Sequence, residues 1–185
     1  GSNRCAAIGV GTSPVVADEA LYGASAATAV VGITADPGNR SEQWRFLAPA
    51  TAATDVTVNW PASTSGGAGC SSYNGVDQTT PISGSNSVTG SGTPASLDQV
   101  SASGEMVVDA IGASDEAGPT VGAGQTQAWN QSGASFRAGA GSYEGGAATT
   151  TMSWTKGEFS AFSLTTMSLK AAGASASPVR LRRLA

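Results

Sequence analysis

The chain has 185 residues, with nine basic and thirteen acidic side chains, no histidine and a net charge of −4. That length suits one well-buried domain, and the acidic balance offers no general attraction to nucleic acid or to an anionic membrane surface. Only 12% of residues are charged and 6% aromatic, while 25 are glycine; this is unlike a cytosolic enzyme and suits short strands joined by Gly, Ser and Thr turns.

The sequence opens on Gly1-Ser2 without Met, a start consistent with processing, and no apolar run approaches the length of a membrane span. Residues 5–11 (CAAIGVG) read as a buried strand, with any strand before it lost. A weaker extended piece follows at 20–22, then a strand at 29–34 (AVVGIT). The turn Asp36-Pro37-Gly38-Asn39 folds that strand back onto 43–48 (QWRFLA), where Trp44, Phe46 and Ala48 share a face. Residues 55–60 alternate, with Val56, Val58 and Trp60 on one side and Asp55, Thr57 and Asn59 on the other.

A short strand at 70–73 runs into a punctuated corner. Asn74-Gly75 accepts positive φ, Asp77 caps its own backbone and Pro81 withholds an N–H from any ladder. Residues 83–94 read as a polar loop with a short edge strand at 87–89, followed by strands at 95–100 and 105–112 around Ser103-Gly104. Extended pieces at 120–129 and 136–140 lead to a corner at 143–146. In 147–154, Ala148, Thr150, Met152 and Trp154 lie opposite Thr149, Thr151 and Ser153, and 159–169 form a long strand that carries a bulge.

About ten strands and no sustained helical period predict an all-β fold: a two-layer antiparallel β-sandwich, jelly-roll-like, with little helix. Residues 1–172 form the single domain. The Ala/Ser/Gly stretch before Pro178 makes 173–185 an extended C-terminal arm.

Several segments together carry a resemblance: Asn3-Arg4, EQWRFLAP at 42–49, DVTVNW at 55–60, YNGVDQTTP at 73–81, EMVVD at 105–109, GQTQ at 124–127 with Trp129, and TMSW at 151–154. They resemble a jelly-roll-like β-sandwich domain of tailed-phage structural proteins and bacterial extracellular surface proteins, over residues 3–172. The resemblance implies a fold and a place on a virion surface or outside the cell. It transfers no catalytic residue, because the matching segments are strands and corners. The chain departs from the pattern at its start, where the lead-in strand is absent, and at its end, where the Arg-bearing arm is added; whether another subunit completes the first sheet edge stays open.

The residue inventory narrows the chemistry. Without histidine there is no Ser-His-Asp or Cys-His catalysis, and two cysteines alone do not make a structural zinc site. No metal and no cofactor are expected. Asp109, Asp115, Glu116 and Glu144 are candidates for a paired-carboxylate hydrolase site, although thirteen acids supply such pairs by chance. Asp36, or Asp115 with Glu116, sits in Gly/Pro turns that suit calcium, against the plainer reading that these acids cap turns. Cys5 and Cys70 are either one disulfide or two small core residues.

Trp44, Trp60 and Trp154 lie on apolar faces and belong to the core, whereas Trp129, among Gln127, Asn130 and Gln131, is the candidate rim or exposed ring for stacking on a sugar. Gly122 to Gly124 precede no helix and make no phosphate loop. Asn39-Arg40-Ser41 and Asn130-Gln131-Ser132 match the glycosylation sequon, a pattern that arises often by chance.

Arg180, Arg182 and Arg183 alternate with Val179, Leu181 and Leu184. They suit an added strand or a clamp on an acidic neighbour, the alternative being a frayed tail. The function expected from all this is a non-enzymatic structural protein of a virion surface, a capsid decoration or similar. It would form homo-oligomers and bind its own copies and a shell protein. The alternative is a secreted carbohydrate-binding or adhesion module of a bacterial surface protein.

Overall fold

Small and β-branched residues in period two, cut by Gly, Pro and Asn turns, fold the chain into antiparallel strands throughout. The computed structural model describes residues 3–12, 14–35, 38–113, 118–133, 136–155, 161–173 and 179–182, excepting the side chains at 136–138 and 182, and these contain no helix. In chain order the strands are β1 (Arg4–Thr12), β2 (Glu19–Tyr22), β3 (Ser25–Ala26), β4 (Thr28–Ala35), β5 (Asn39–Leu47), β6 (Val56–Asn59), β7 (Gly66–Asn74) and β8 (Ile82–Gly90). They continue as β9 (Ala95–Val100), β10 (Met106–Ala113), β11 (Thr120–Val121), β12 (Thr126–Gly133), β13 (Phe136–Gly145), β14 (Thr149–Thr155), β15 (Phe162–Leu169) and β16 (Arg180–Arg182).

Two five-stranded sheets, in the orders β16-β7-β1-β5-β4 and β12-β13-β10-β15-β8, form the antiparallel sandwich. Between them lies a middle core of Cys5, Ala7, Tyr73, Val76, Val108, Met167 and Leu169. The outer face of each large sheet is covered in turn. The three-stranded sheet β11-β14-β9 packs on the second, through Trp154 and Ala95 against Ile111, Ala140, Phe162 and Leu164. The sheet β3-β2-β6 packs on the first, where Ala20, Val56, Val58 and Trp60 meet Ile8, Val10 and Trp44, and Tyr22 stacks on Phe46 at 5.1 Å. β1 thus has no wet side, Cys5 and Ala7 facing one core and Ile8 and Val10 the other, which is why its sequence holds almost no polar residue.

The middle core is also stitched by polar side chains from β5. Ser41 Oγ donates to Ala110 O (2.6 Å), Gln43 Nε2 to Val108 O (3.2 Å) and Thr165 O (2.8 Å), and Asn39 Nδ2 to Ala161 O (3.0 Å). The bonds run from the first sheet to backbone of the second or, at Ala161, to the residue just before β15, so together they fix how the two sheets sit on each other. Gln43→Ala is expected to cost about 2 kcal/mol, because two buried carbonyls lose a donor. A urea midpoint equal to wild type would show that these bonds add nothing.

Several boundaries differ from the sequence reading. β7 begins at Gly66, and β8 is a nine-residue strand where a polar loop was expected. Gly, Ser and Asn have low strand propensity, but pairing with β1 and β15 overrides it. The stretch 120–129 is two strands split by Gly124 at φ 87°, the corner expected at 143–146 is strand up to Gly145, and Ala48 lies past the end of β5 at φ 49°. The bulge expected in β15 falls on its partner instead: Ser168 and Leu169 pair with Gly84 and Ile82, leaving Ser83 of β8 as the extra residue. Within the expected arm, Arg180–Arg182 form the edge strand of the first sheet, as the added-strand reading has it, and Val179 is buried in the middle core.

Candidate functional site

The corner after β7 is where the end of the chain returns. Gly75 takes φ 78°, and Asp77 Oδ1 accepts from the amides of Thr80 (3.0 Å) and Thr79 (2.8 Å), which hold its carboxyl below the usual range. Val76 bridges to Ala171, and the Ala172 amide donates to Gly75 O. The Val179 amide then donates to Gly104 O, and β16 pairs with β7 as Arg180↔Asn74, Leu181↔Tyr73 and Arg182↔Ser72. Leu181 packs on the middle core, while Arg180 is exposed. The side chain of Arg182, together with Arg183 and Leu184, lies outside the described residues.

β16 covers only the last three positions of β7; at 66–71 no described strand pairs on the side away from β1. Beside that open edge is a groove of about 390 Å³, whose apolar lining is Ile8, Val56, Val58, Trp60, Ala68 and Cys70. Trp60 Nε1 is buried without a hydrogen-bond partner among the described residues. Cys70 looks into this groove from the outer face of β7, opposite Ile8, whereas Cys5 is opposite Tyr73 on the inner face. The two thiols are free, each pushed up to about 12 by burial. The disulfide alternative is corrected by this register, which points the two side chains to opposite faces of one sheet.

Trp129, expected as a rim or exposed ring, is half-buried. β12 places it opposite Gly141, and its ring lies across Gly9 and Gly69, which pair with each other on β1 and β7. A Cβ on Gly9 would meet Trp129 Cζ2 at 3.0 Å, and one on Gly69 or Gly141 would fall inside the ring. Three strand glycines therefore form a slot for one indole between the sheets. Glycine inside a strand pattern is the signal that marks such a close approach, and it was there to be used.

Asp109 is the other special group. The β10–β13 ladder is interrupted opposite it, and Asp109 Oδ1 instead accepts from the Ser142 amide (2.6 Å) and Ser142 Oγ (2.8 Å). Its Oδ2 accepts from Trp154 Nε1 (2.8 Å) and Gln125 Nε2 (3.3 Å). Burial raises its carboxyl to about 6, outweighing the lowering by Ser142 and Trp154. Glu144 lies two pairing positions along the same face, but Asp109 is only 4% exposed. The space that touches it is about 10 Å³, room for a single water, so this pair opens on no cleft. Asp36, Asp115 and Glu116 lie outside the described residues.

Trp44 and Trp154 are buried, and Trp60 packs on the outer core of the first sheet, as their faces predict. The structure brings Arg180 and Leu181 together at the β7 edge and leaves Trp129 in a separate slot. Searches with this chain against models of known protein families, curated proteins and solved structures found no match.

Proposed function

We propose that the protein is a non-enzymatic structural subunit of a virion surface, a capsid decoration protein that binds its own copies and the shell beneath. The observation that carries this reading is the C-terminal strand laid along the β7 edge, with Arg180 exposed at the rim of the sheet. The pairing is within the chain, but strand addition between copies uses the same main-chain bonds, and an arginine at the edge suits an acidic neighbour. Among the described residues, no strand pairs with the outer side of the edge strands β4, β8 and β12. The sequence resemblance to phage structural β-sandwiches points the same way, and the carbohydrate alternative loses its carrier with Trp129 in the slot.

Electron cryomicroscopy of purified particles is expected to show the subunit on the shell, and light scattering of the isolated chain to show an oligomer. Arg180→Glu should weaken that association by roughly tenfold without lowering the melting temperature. A chain absent from particles and monomeric in solution would overturn the reading.

A further inference from the structure

We infer that Asn74 is a site of spontaneous covalent modification: attack by the Gly75 amide converts its carboxamide to a carboxylate, and the product is seated between Arg4 and Arg180. Asn74-Gly75 is the one Asn-Gly step in the sequence. It falls where β7 ends. Asn74 is exposed, and Gly75, at φ 78°, has already left the strand. Glycine has no Cβ to hinder the approach of its own nitrogen to Asn74 Cγ. Among the described residues neither the Asn74 carboxamide nor the Gly75 amide nitrogen makes a hydrogen bond, whereas the next amide, of Val76, donates to Asn3 O at 2.9 Å.

The step needs only water. The Gly75 nitrogen gives its proton to solvent and bonds to Asn74 Cγ, the bond from Cγ to the carboxamide nitrogen breaks, and that nitrogen takes up a proton and leaves as ammonia. Water then opens the succinimide ring at one of its two carbonyls, giving aspartate or its β-linked isomer; either way a carboxylate stands at position 74. Arg4 and Arg180 are the direct ladder partners of Asn74 on its two sides, so the three side chains share a face. Two guanidinium groups there favour both the anionic nitrogen that attacks and the carboxylate that forms. Arg4 Nη1 is also buried without a hydrogen-bond partner among the described residues, and the new carboxylate is an acceptor directly across the ladder from it. The inference stands apart from the virion role and concerns the isolated chain.

The test ages the folded, full-length protein at mildly alkaline pH and follows each asparagine by peptide mass spectrometry. Asn74 is expected to lose its amide ahead of Asn3, Asn39, Asn59, Asn86 and Asn130. Asn74→Asp, which installs the product, should melt roughly 1–3 °C above Asn74→Gln at low salt, and high salt should remove that gain by screening the arginines. Three results would each overturn the proposal: Asn74 intact in the folded chain while the urea-unfolded chain converts it, another asparagine converting first, or Asn74→Asp melting no higher than Asn74→Gln.

Discussion

Asp109→Ala is expected to lower the unfolding free energy by about 3 kcal/mol at acid pH, because the Ser142 amide, Ser142 Oγ and Trp154 Nε1 lose their acceptor in a site closed to solvent. The deficit should shrink as pH rises. Burial lifts the Asp109 carboxyl from 3.8 to about 6 in the folded chain, so between those values the folded state holds a proton that the unfolded state releases. The stabilisation from that proton is fully present below the unfolded value and is lost as pH rises through the folded one, a change of roughly 3 kcal/mol in the wild type only. Urea titrations of both chains from acid to neutral pH will check this. A gap that widens toward neutrality would mean that Asp109 is held ionised by its four donors.

Gly69→Ala should be nearly as damaging, at about 3 kcal/mol, since the new methyl would occupy the space of the Trp129 ring and neither sheet has room to retreat. The clash is with one side chain, which makes the prediction separable. In a Trp129→Ala background, itself destabilised, the added cost of Gly69→Ala should fall below about 1 kcal/mol, giving a large coupling in a double-mutant cycle. Thermal unfolding of the four chains measures it. Additive effects would place the strain in the β7 backbone and remove the slot as its cause. Glycan binding by Trp129 is not expected in either background.

Much of the fold was legible because the strands that mattered most repeat in period two. Val56, Val58 and Trp60 pack as their alternation predicts, and Thr150, Met152 and Trp154 are buried while Thr149 and Thr151 are exposed. The strands of the two small outer sheets were largely legible, but their grouping into separate sheets was not, and β3, with two residues, carries no period at all. β8 was half hidden by composition: of ISGSNSVTG only 87–89 reads as a short edge strand, and the long-range pairing with β15 extends it to nine residues. Asp109 looked like any other acid in the list of candidates. What singles it out, a ladder gap filled by a carboxylate beneath Trp154, depends on residues 33 and 45 positions away. The alternation of Arg180 and Leu181 was readable, and their β7 partner was not, because it lies about a hundred residues back along the chain.

The central strands β1 and β10 of the two main sheets are buried almost throughout and leave little exterior on which to change. Exposed positions gather on the far side of the outer sheets, at Ser96, Asp98, Thr149, Thr151 and the 74%-exposed Val100, and on Thr57 and Asn59 across the molecule. Evolutionary drift, antigenic variation and grafted epitopes should all be tolerated there first. Libraries that randomise β9 and β14 outward positions should retain folded, displayable protein, whereas those aimed at β1 or β10 should return few survivors.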